Sequence, residues 1–201
     1  MKRIIDIILS LIGLIILAPI IIATSILSVI FQGLPVFFFH QRLGKNGKLF
    51  TLIKLRTMSN GPSLSAKHDI TRLTNWGRIL RKTSIDELPV LINVLKGEMS
   101  LVGPRPLPIK YLQRFNTFQI KRLNVSPGIT GLAQINGRNY LSWEKRFEYD
   151  VYYVRNRTFL LDIKILFLTV LLVFRGIGIS SKDQEIMPEF MGENKEIKKI
   201  E

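Results

Sequence analysis

The first part of the chain is almost wholly apolar. Residues 4–31 are interrupted only by Asp6 and by a few small or hydroxyl side chains. Because about 20 apolar residues are enough for a helix to cross a bilayer, this segment is long enough to enter a membrane. The run is also longer than the apolar region of a signal peptide, and no clear small-residue cleavage site follows it. The pattern therefore predicts an N-terminal membrane helix.

Two features favour a bent helix that enters and leaves the membrane on one side. Pro19 lies near the middle of the segment, where it removes a backbone hydrogen bond and clashes with the preceding turn. Positive residues prefer the cytoplasmic side of a membrane, and they flank this segment at both ends. These residues are Lys2, Arg3, Arg42, Lys45, Lys48, Lys54 and Arg56. We predict a re-entrant anchor over residues 1–33 with its break at Pro19; an ordinary single-pass anchor with a kink is the alternative.

The pattern changes to strands after the apolar helix. Residues 34–58 predict a β-hairpin, in which VFFFHQR and KLFTLIKLRTM are the strands and Asn46-Gly47 is the tight turn. Lys54 and Arg56 fall on one face of the second strand because they are two residues apart. Two cations at a strand end indicate an anion-binding site, and a solvated strand end is the alternative.

The rest of the chain predicts a small, mostly helical α/β domain over residues 34–180. The predicted helices cover residues 74–81, 86–95, 108–122, 143–154 and 162–175, and a short strand lies in the glycine-rich loop 126–137. The last helix is apolar but too short to cross a bilayer, so we expect it to be buried or interfacial. The polar tail, residues 181–201, is expected to be mobile.

Composition narrows the chemistry. The 201 residues carry a formal net charge of +14, which indicates anionic partners: nucleic acid, acidic lipid head groups or phosphorylated substrates. The chain has no cysteine, so disulfides, thiol catalysis and thiolate metal sites are excluded. With only two histidines, a histidine-rich metal centre is not expected. Catalysis would have to use carboxylates, lysines, arginines or hydroxyl groups.

The sequence SIDELP (residues 84–89) carries the most informative carboxylates. Ser84 and Glu87 match a helix capping box, which is a purely structural role. Pro89 is better accommodated if the helix begins at Asp86, because the proline then lies in the first turn. In that register the helix N-terminus and Arg81 would favour the ionised form of both carboxylates. Such carboxylates can coordinate Mg²⁺ or attack phosphorus, and a plain helix cap is the alternative.

Two further arginines are candidates for phosphate binding. Arg105 lies between two prolines, whose fixed φ angles restrict where its guanidinium points, and a guanidinium can bind a phosphate through two hydrogen bonds. A proline-rich turn with a solvent-facing arginine is the alternative. Arg138 ends the glycine-rich loop, whose glycines could let the backbone approach a ligand closely.

Taken together, the order and spacing of these stretches resemble the small monotopic phosphoglycosyl transferases of the bacterial sugar transferase family. The stretches are the proline-broken apolar helix, KLFTLIKLRTM, SIDELPVLINVLKGEMSLVGPRPL, PGITGLAQINGR and FEYDVYYV. Within the family the chain looks most similar to the N,N′-diacetylbacillosamine-phosphate polyprenol transferases of protein glycosylation. The resemblance covers about residues 1–180.

The resemblance implies a reaction and a place in the cell. A phospho-sugar would pass from a UDP-sugar to polyprenol (undecaprenyl) phosphate with release of UMP, through a covalent aspartyl-phosphosugar, in the first membrane step of glycoconjugate biosynthesis. Mg²⁺ would be the cofactor. A re-entrant helix in one leaflet of the phospholipid membrane would continue into a compact domain on the cytoplasmic face of the bacterial inner membrane. We expect no nucleic-acid partner, and a homo-oligomer is possible.

The same resemblance assigns roles to individual residues. Asp86 would attack the β-phosphate, with Glu87 as the second acid and both as metal ligands. Arg105 would hold phosphate. The remaining expected contacts to donor or carrier phosphates are Lys54, Arg56, Arg81 and Arg138. Asp150 also lies in a family-like stretch, and its role could be purely structural.

Two other functions stay open on the sequence alone. The first is a membrane-bound protein that binds anionic lipid or nucleic acid without catalysis. Most aromatic residues lie in the anchor, in the hairpin or in residues 143–153, rather than among the basic residues, which argues against nucleic acid. The second is a single-pass anchor that carries a structural domain.

Overall fold

The computed structural model describes residues 1–61, 71–137, 140–174 and 189–192. A long helix leads into a compact, mostly helical domain that contains two small two-stranded sheets, so the predicted fold class is confirmed. The helices are α1 (Lys2–Gln32), α2 (Asn75–Lys82), α3 (Val90–Lys96), α4 (Leu132–Ile135), α5 (Trp143–Asn156) and α6 (Phe159–Phe174). The strands are β1 (Phe37–Leu43), β2 (Leu49–Leu55), β3 (Ser100–Val102) and β4 (Gly128–Thr130).

Helix α1 has the burial pattern of a helix in lipid. Its buried side chains are the polar ones, Asp6, Ser10, Thr24 and Ser28, while most of its large aliphatic side chains are exposed. A helix on the surface of a soluble protein would show the opposite pattern. By length and composition α1 could cross a membrane. The burial pattern shows that its polar stripe faces the domain and that its apolar surface is left exposed, as expected for a membrane helix.

Both ends of α1 are attached to the same domain. At the N-terminal end, Lys2 Nζ donates to Val102 O (3.0 Å) and to Asp162 Oδ2 (2.6 Å). At the other end, Trp76 Nε1 donates to Ser28 Oγ (2.9 Å). Pro19 lies inside α1, which is assigned as one helix from Lys2 to Gln32, and the break predicted at this residue stays a prediction. The attachment of both ends is what a re-entrant helix requires.

The β-hairpin and α3 pack against each other. Strands β1 and β2 are antiparallel, and the turn between them places Asn46 and Gly47 at positive φ, as predicted. The buried side chain of Asn93 in α3 bonds the outer edge of β2, since its Nδ2 donates to Thr51 O (2.7 Å) and its Oδ1 accepts from Ile53 N (3.1 Å). Helix α3 is therefore held in a fixed position against the strand that carries Lys54.

Two predictions about the second half of the chain were wrong. Residues 108–122 do not form one helix but two 3₁₀ segments, Ile109–Arg114 and Gln119–Asn124. Asn116 separates them, because its side-chain oxygen accepts from Phe118 N (2.9 Å) and Gln119 N (2.8 Å) and so replaces helical hydrogen bonds. The expectation of a mobile tail also fails for residues 189–192, where Phe190 is only 2% exposed and packs in an aromatic cluster.

Candidate active site

Asp86 lies in a 3₁₀ turn, Ile85–Glu87, that precedes α3. The predicted start of the helix at Asp86 is wrong, because α3 begins at Val90 and Pro89 is its N-cap residue. Ser84 makes no capping hydrogen bond and has a left-handed backbone conformation with φ 58°. The capping-box alternative therefore has no support, and the turn serves to place its acidic residues at the edge of β2.

The Asp86 carboxyl group is buried, and nearby cations compensate its negative charge only weakly. Its residue is 4% exposed, and its nearest cation is Lys54, with Nζ 3.9 Å from Oδ2. Burial raises the pKa of Asp86 to about 6, although the charges of Lys54 and Arg81 act in the opposite direction. The prediction that its surroundings favour the ionised form was therefore wrong, because desolvation outweighs the nearby cations.

Asp86 also differs from the other buried aspartates in the described part of the chain. Asp6, Asp150 and Asp162 each accept at least one hydrogen bond, from Leu101 N, Arg122 and Tyr153 respectively. Asp86 accepts none from any described residue. A buried carboxylate without hydrogen-bond donors keeps its lone pairs available, which is the requirement for a nucleophile.

Glu87 is held by Arg105. The two guanidinium nitrogens of Arg105 donate to both carboxylate oxygens of Glu87, with 3.3 Å between Nη1 and Oε2. The charge of Glu87 raises the pKa of Arg105, so this guanidinium stays protonated. Because the Glu87 oxygens already accept two hydrogen bonds, Glu87 is the less reactive of the two adjacent acids. The Arg105 side chain is 43% exposed, which leaves part of the guanidinium accessible to a ligand.

A buried ion pair supports the main chain of Arg105. Arg122 donates to Asp150 Oδ2 from both Nε (3.0 Å) and Nη2 (2.8 Å), and Nη2 also donates to Arg105 O (2.7 Å). Both side chains are at most 3% exposed. The sequence left the role of Asp150 open. In the structure Asp150 holds Arg122, and Arg122 in turn holds the loop that carries Arg105.

The glycines of residues 126–137 allow two chain segments to pack closely. A Cβ atom on Gly128 would lie 2.0 Å from Gly103 N, and one on Gly131 would lie 2.2 Å from Gly103 O. Strand β4 can therefore pair in parallel with β3 only if these positions have no side chain. The neighbour that the glycines admit is the backbone just before Arg105, and not a ligand as the sequence suggested.

The other predicted cations have different surroundings. Lys54 lies beside Asp86, and burial lowers its pKa. Arg81 Nε donates to Thr57 Oγ1 (3.0 Å), and its charge also acts on Asp86. The buried guanidinium of Arg56 instead donates to Gln32 O and Gly33 O and so fastens the end of α1. Arg138 lies outside the described residues.

Sequence reasoning missed two arginines near Arg105. The sequence indicates Arg42, at the end of β1, only as a flanking charge of the membrane helix, and it assigns no role to Arg146 in α5. Burial and the positive charge of Arg105 lower the pKa of both residues to about 10. No local signal distinguishes them in the sequence, because their proximity to Arg105 arises only from the tertiary fold.

Asp86 and Glu87 are the residues predicted to hold a metal ion. No cluster of three or more His, Cys, Asp or Glu side chains exists among the described residues. Asp86 and Glu87 are outnumbered by the cations Lys54, Arg81 and Arg105, so a divalent cation alone would be repelled. Mg²⁺ is often held by one or two carboxylates together with substrate phosphates. The residues therefore fit Mg²⁺ when it is bound jointly with a diphosphate.

An open groove of about 470 Å³ lies elsewhere, between α4, α5 and α6. Its walls include Leu132, Ile135, Tyr149, Tyr152 and Lys164. None of the predicted site residues that the structure describes lines it. The groove is therefore separate from the acidic pair.

Comparisons with known proteins show which family the chain resembles. The family described as "Bacterial sugar transferase" matches residues 1–176. The chain is 53% identical over 162 residues to "Uncharacterized sugar transferase EpsL" of Bacillus subtilis, which covers 80% of both chains.

Two longer relatives have more specific names. The chain is 41% identical to "Undecaprenyl-phosphate galactose phosphotransferase" of Salmonella typhimurium, over 89% of the chain and 41% of that protein. It is 43% identical to "UDP-glucose:undecaprenyl-phosphate glucose-1-phosphate transferase" of Klebsiella pneumoniae, over 87% of the chain and 40% of that protein. The chain thus spans about two fifths of the length of these two relatives.

Proposed function

Since the chain belongs to the bacterial sugar transferase family and is a phosphoglycosyl transferase, we propose that it transfers a phospho-sugar from a UDP-sugar to undecaprenyl phosphate and releases UMP. The names of the Salmonella and Klebsiella relatives support this acceptor, and the second also supports this donor class. The observation that carries the proposal is the buried Asp86 carboxyl group, which has a cation beside it and accepts no hydrogen bond from the residues that the structure describes.

The proposed first step is an attack by an Asp86 oxygen on the β-phosphorus of the donor. A bond forms between this oxygen and phosphorus, and the bond between the β-phosphorus and the oxygen bridging to the α-phosphate breaks. UMP leaves with that bonding electron pair. In the second step an oxygen of the carrier phosphate attacks the same phosphorus, the bond to Asp86 breaks, and the carboxylate is regenerated with a polyprenyl-diphosphate-sugar as product. Lys54 is placed to neutralise charge on the reacting phosphate.

Glu87 and Arg105 have supporting roles in this proposal. Arg105, oriented by its pair with Glu87 and by Arg122 behind it, presents the accessible part of its guanidinium to a phosphate. Asp86 and Glu87, with the donor diphosphate, would hold Mg²⁺, which when bound would neutralise phosphate oxygens. Because the site has more cations than carboxylates, we propose that the metal binds together with the donor.

We also propose that α1 is re-entrant and that the domain lies on the cytoplasmic face of the membrane. A straight helix of this length would extend about 46 Å, so its two ends would lie on opposite sides of a bilayer if it crossed directly. Both ends of α1 instead bond to one domain. This path places Asp86 near the membrane surface, where a carrier lipid presents its phosphate.

Cysteine labelling tests this topology. The chain has no cysteine, so single cysteines can be introduced without other changes. We expect a cysteine in a short tag before Met1 and a cysteine at the exposed hairpin residue Lys45 to react with a membrane-impermeant reagent from the same, cytoplasmic, side. Reaction of the N-terminal cysteine from the opposite side would show that α1 crosses the membrane.

The nucleotide product tests the reaction itself. Purified protein with a panel of UDP-sugars should release about one equivalent of UMP without carrier, and should turn over repeatedly once undecaprenyl phosphate is added. Release of UDP would show that the sugar–oxygen bond breaks, and would contradict the proposal. The panel should contain UDP-galactose, UDP-glucose and UDP-N,N′-diacetylbacillosamine, because the predicted similarity to the bacillosamine transferases stays a prediction.

A further inference from the structure

Arg42 lies beside the loop that carries Arg105. Leu43 N donates to Leu107 O (3.0 Å), and Arg42 forms an isolated β-bridge with Pro108. The end of β1 is therefore fastened by its backbone to the residues that follow Arg105. The position of Arg42 relative to Arg105 is fixed by main-chain hydrogen bonds rather than by a flexible loop.

The Arg42 side chain makes no hydrogen bond within the described part of the chain. Its Nε is buried and makes no hydrogen bond with any described residue. The Nε of Arg56 is likewise buried without a partner, but the other guanidinium nitrogens of Arg56 donate to carbonyl oxygens at the end of α1, and Arg122 donates to Asp150. A buried guanidinium N–H without a hydrogen-bond partner is costly, because the water it has lost is not replaced. Its pKa of about 10 means that it is still protonated at neutral pH.

The carboxylate whose charge acts on Arg42 is already bound by another arginine. Arg105 and Glu87 act on Arg42 in opposite directions, but Glu87 accepts hydrogen bonds from Arg105. Among the described residues, the Arg42 guanidinium is therefore available to bind an anionic ligand beside Arg105.

The hairpin register separates Arg42 from the reacting carboxyl group. Phe38 pairs with Lys54, and Arg42 pairs with Phe50, so Arg42 and Lys54 share one face of the hairpin. They are about four residue steps, or about 13 Å, apart along the strands. Lys54 lies beside Asp86, whereas Arg42 lies towards Glu87 and Arg105. Arg42 is thus placed for a phosphate next to the one that Asp86 would attack.

We propose that Arg42 and Arg105 form a phosphate-monoester subsite that holds the phosphate of UMP as it leaves and then the phosphate of the lipid carrier. This inference rests on the proposed two-step reaction. Attacking and leaving oxygens lie roughly in line during phosphoryl transfer. The leaving oxygen in the first step and the attacking oxygen in the second both lie opposite the Asp86 oxygen, so the two phosphate monoesters must occupy the same place in turn.

The test compares Arg42→Gln with wild type and with Lys45→Gln, which removes a charge from the exposed hairpin turn. Affinity for UMP is measured by equilibrium binding, with uridine as the ligand that lacks phosphate, and KM is measured for undecaprenyl phosphate. Loss of a hydrogen bond between charged groups should lower the affinity for UMP by about 10- to 100-fold. It should raise the KM for undecaprenyl phosphate by a similar factor. Uridine binding and the Lys45→Gln variant should be unchanged.

Each other outcome counts against the subsite. Wild-type affinity for UMP in Arg42→Gln would exclude Arg42 as a phosphate ligand, and an effect on only one of the two monoesters would exclude a shared subsite. If Arg42→Gln does not fold, Arg42→Lys, which keeps the charge but loses the planar fork, should show the same paired losses to a smaller extent. Binding of inorganic phosphate, with and without Arg42, tests the subsite even if no UMP is formed. A wild-type protein that binds phosphate through Arg42 but never makes UMP would contradict the proposed function and not the subsite.

Discussion

Replacing Asp86 with asparagine is expected to lower UMP release by on the order of 10⁴-fold or more, because an amide cannot act as the anionic nucleophile. The side chain keeps its size, and the other groups of the site keep their positions. Glu148→Gln is a suitable control, since Glu148 is an exposed acid in α5 whose carboxylate contacts only Lys145 among the described residues. Near-normal turnover in Asp86→Asn would remove Asp86 from its proposed role.

The same substitution is expected to stabilise the folded protein. The pKa of Asp86 rises from 3.8 to about 6 on folding, so the folded state binds this proton more tightly than the unfolded state. The free energy of unfolding should therefore fall as pH rises through about 4 to 6, by about 3 kcal/mol for a shift of about 2 pKa units. The Asp86→Asn variant does not lose this free energy of unfolding as pH rises. It should therefore unfold at a higher temperature than wild type at pH 7.

The opposite changes of activity and stability distinguish a catalytic carboxylate from a structural one. Loss of a structural carboxylate lowers both activity and stability. Neutralising a desolvated nucleophile lowers activity but raises stability. Thermal unfolding in detergent at pH 4 and pH 7 gives the comparison. If Asp86→Asn is less stable than wild type at pH 7, the carboxylate has a stabilising partner and the account of its environment is wrong.

Replacing Arg122 with methionine is expected to cost about 3–5 kcal/mol of stability, because it leaves the buried Asp150 carboxylate without the arginine that donates to it. Both partners are at most 3% exposed. The variant also loses the hydrogen bond to Arg105 O, so any protein that folds should bind phosphate more weakly. Thermal unfolding in detergent measures the first effect, and UMP binding measures the second.

A double variant separates the two effects. Arg122→Met with Asp150→Leu removes both charges and should recover most of the lost stability, but not the position of Arg105. Lys145→Met is the control, since it breaks the exposed Lys145–Glu148 pair and should leave stability unchanged. If Arg122→Met is no less stable than this control, the buried pair does not hold the loop.

Elements with a strong local signal were predictable from the sequence. The hairpin turn at Asn46-Gly47 was correct, because few other residues adopt positive φ at two successive positions. The predicted helix over residues 143–154 is confirmed as Trp143–Asn156, and its N-cap Ser142 accepts from Lys145 N. Local chemistry decides these features, so the sequence is sufficient.

Features that depend on distant contacts were not predictable. The raised pKa of Asp86 results from burial under other elements, and the pairing of Glu87 with Arg105 joins residues far apart in the chain. Gly128 suggested a ligand site, but its neighbour is the backbone of Gly103. Arg42 looked like a flanking charge, because neither its burial nor its missing partner can be seen before the chain is folded.

The central claim is that the Asp86 carboxylate forms a covalent bond to phosphorus. The most direct measurement is to mix the protein with a UDP-sugar in the absence of carrier, quench in acid, and locate the added mass by peptide mass spectrometry. The account predicts a sugar phosphate on the peptide that contains Asp86, lost when undecaprenyl phosphate is added and absent in Asp86→Asn. Full production of UMP and lipid-linked sugar with no modified Asp86 at any time, or the adduct on another residue, would contradict it.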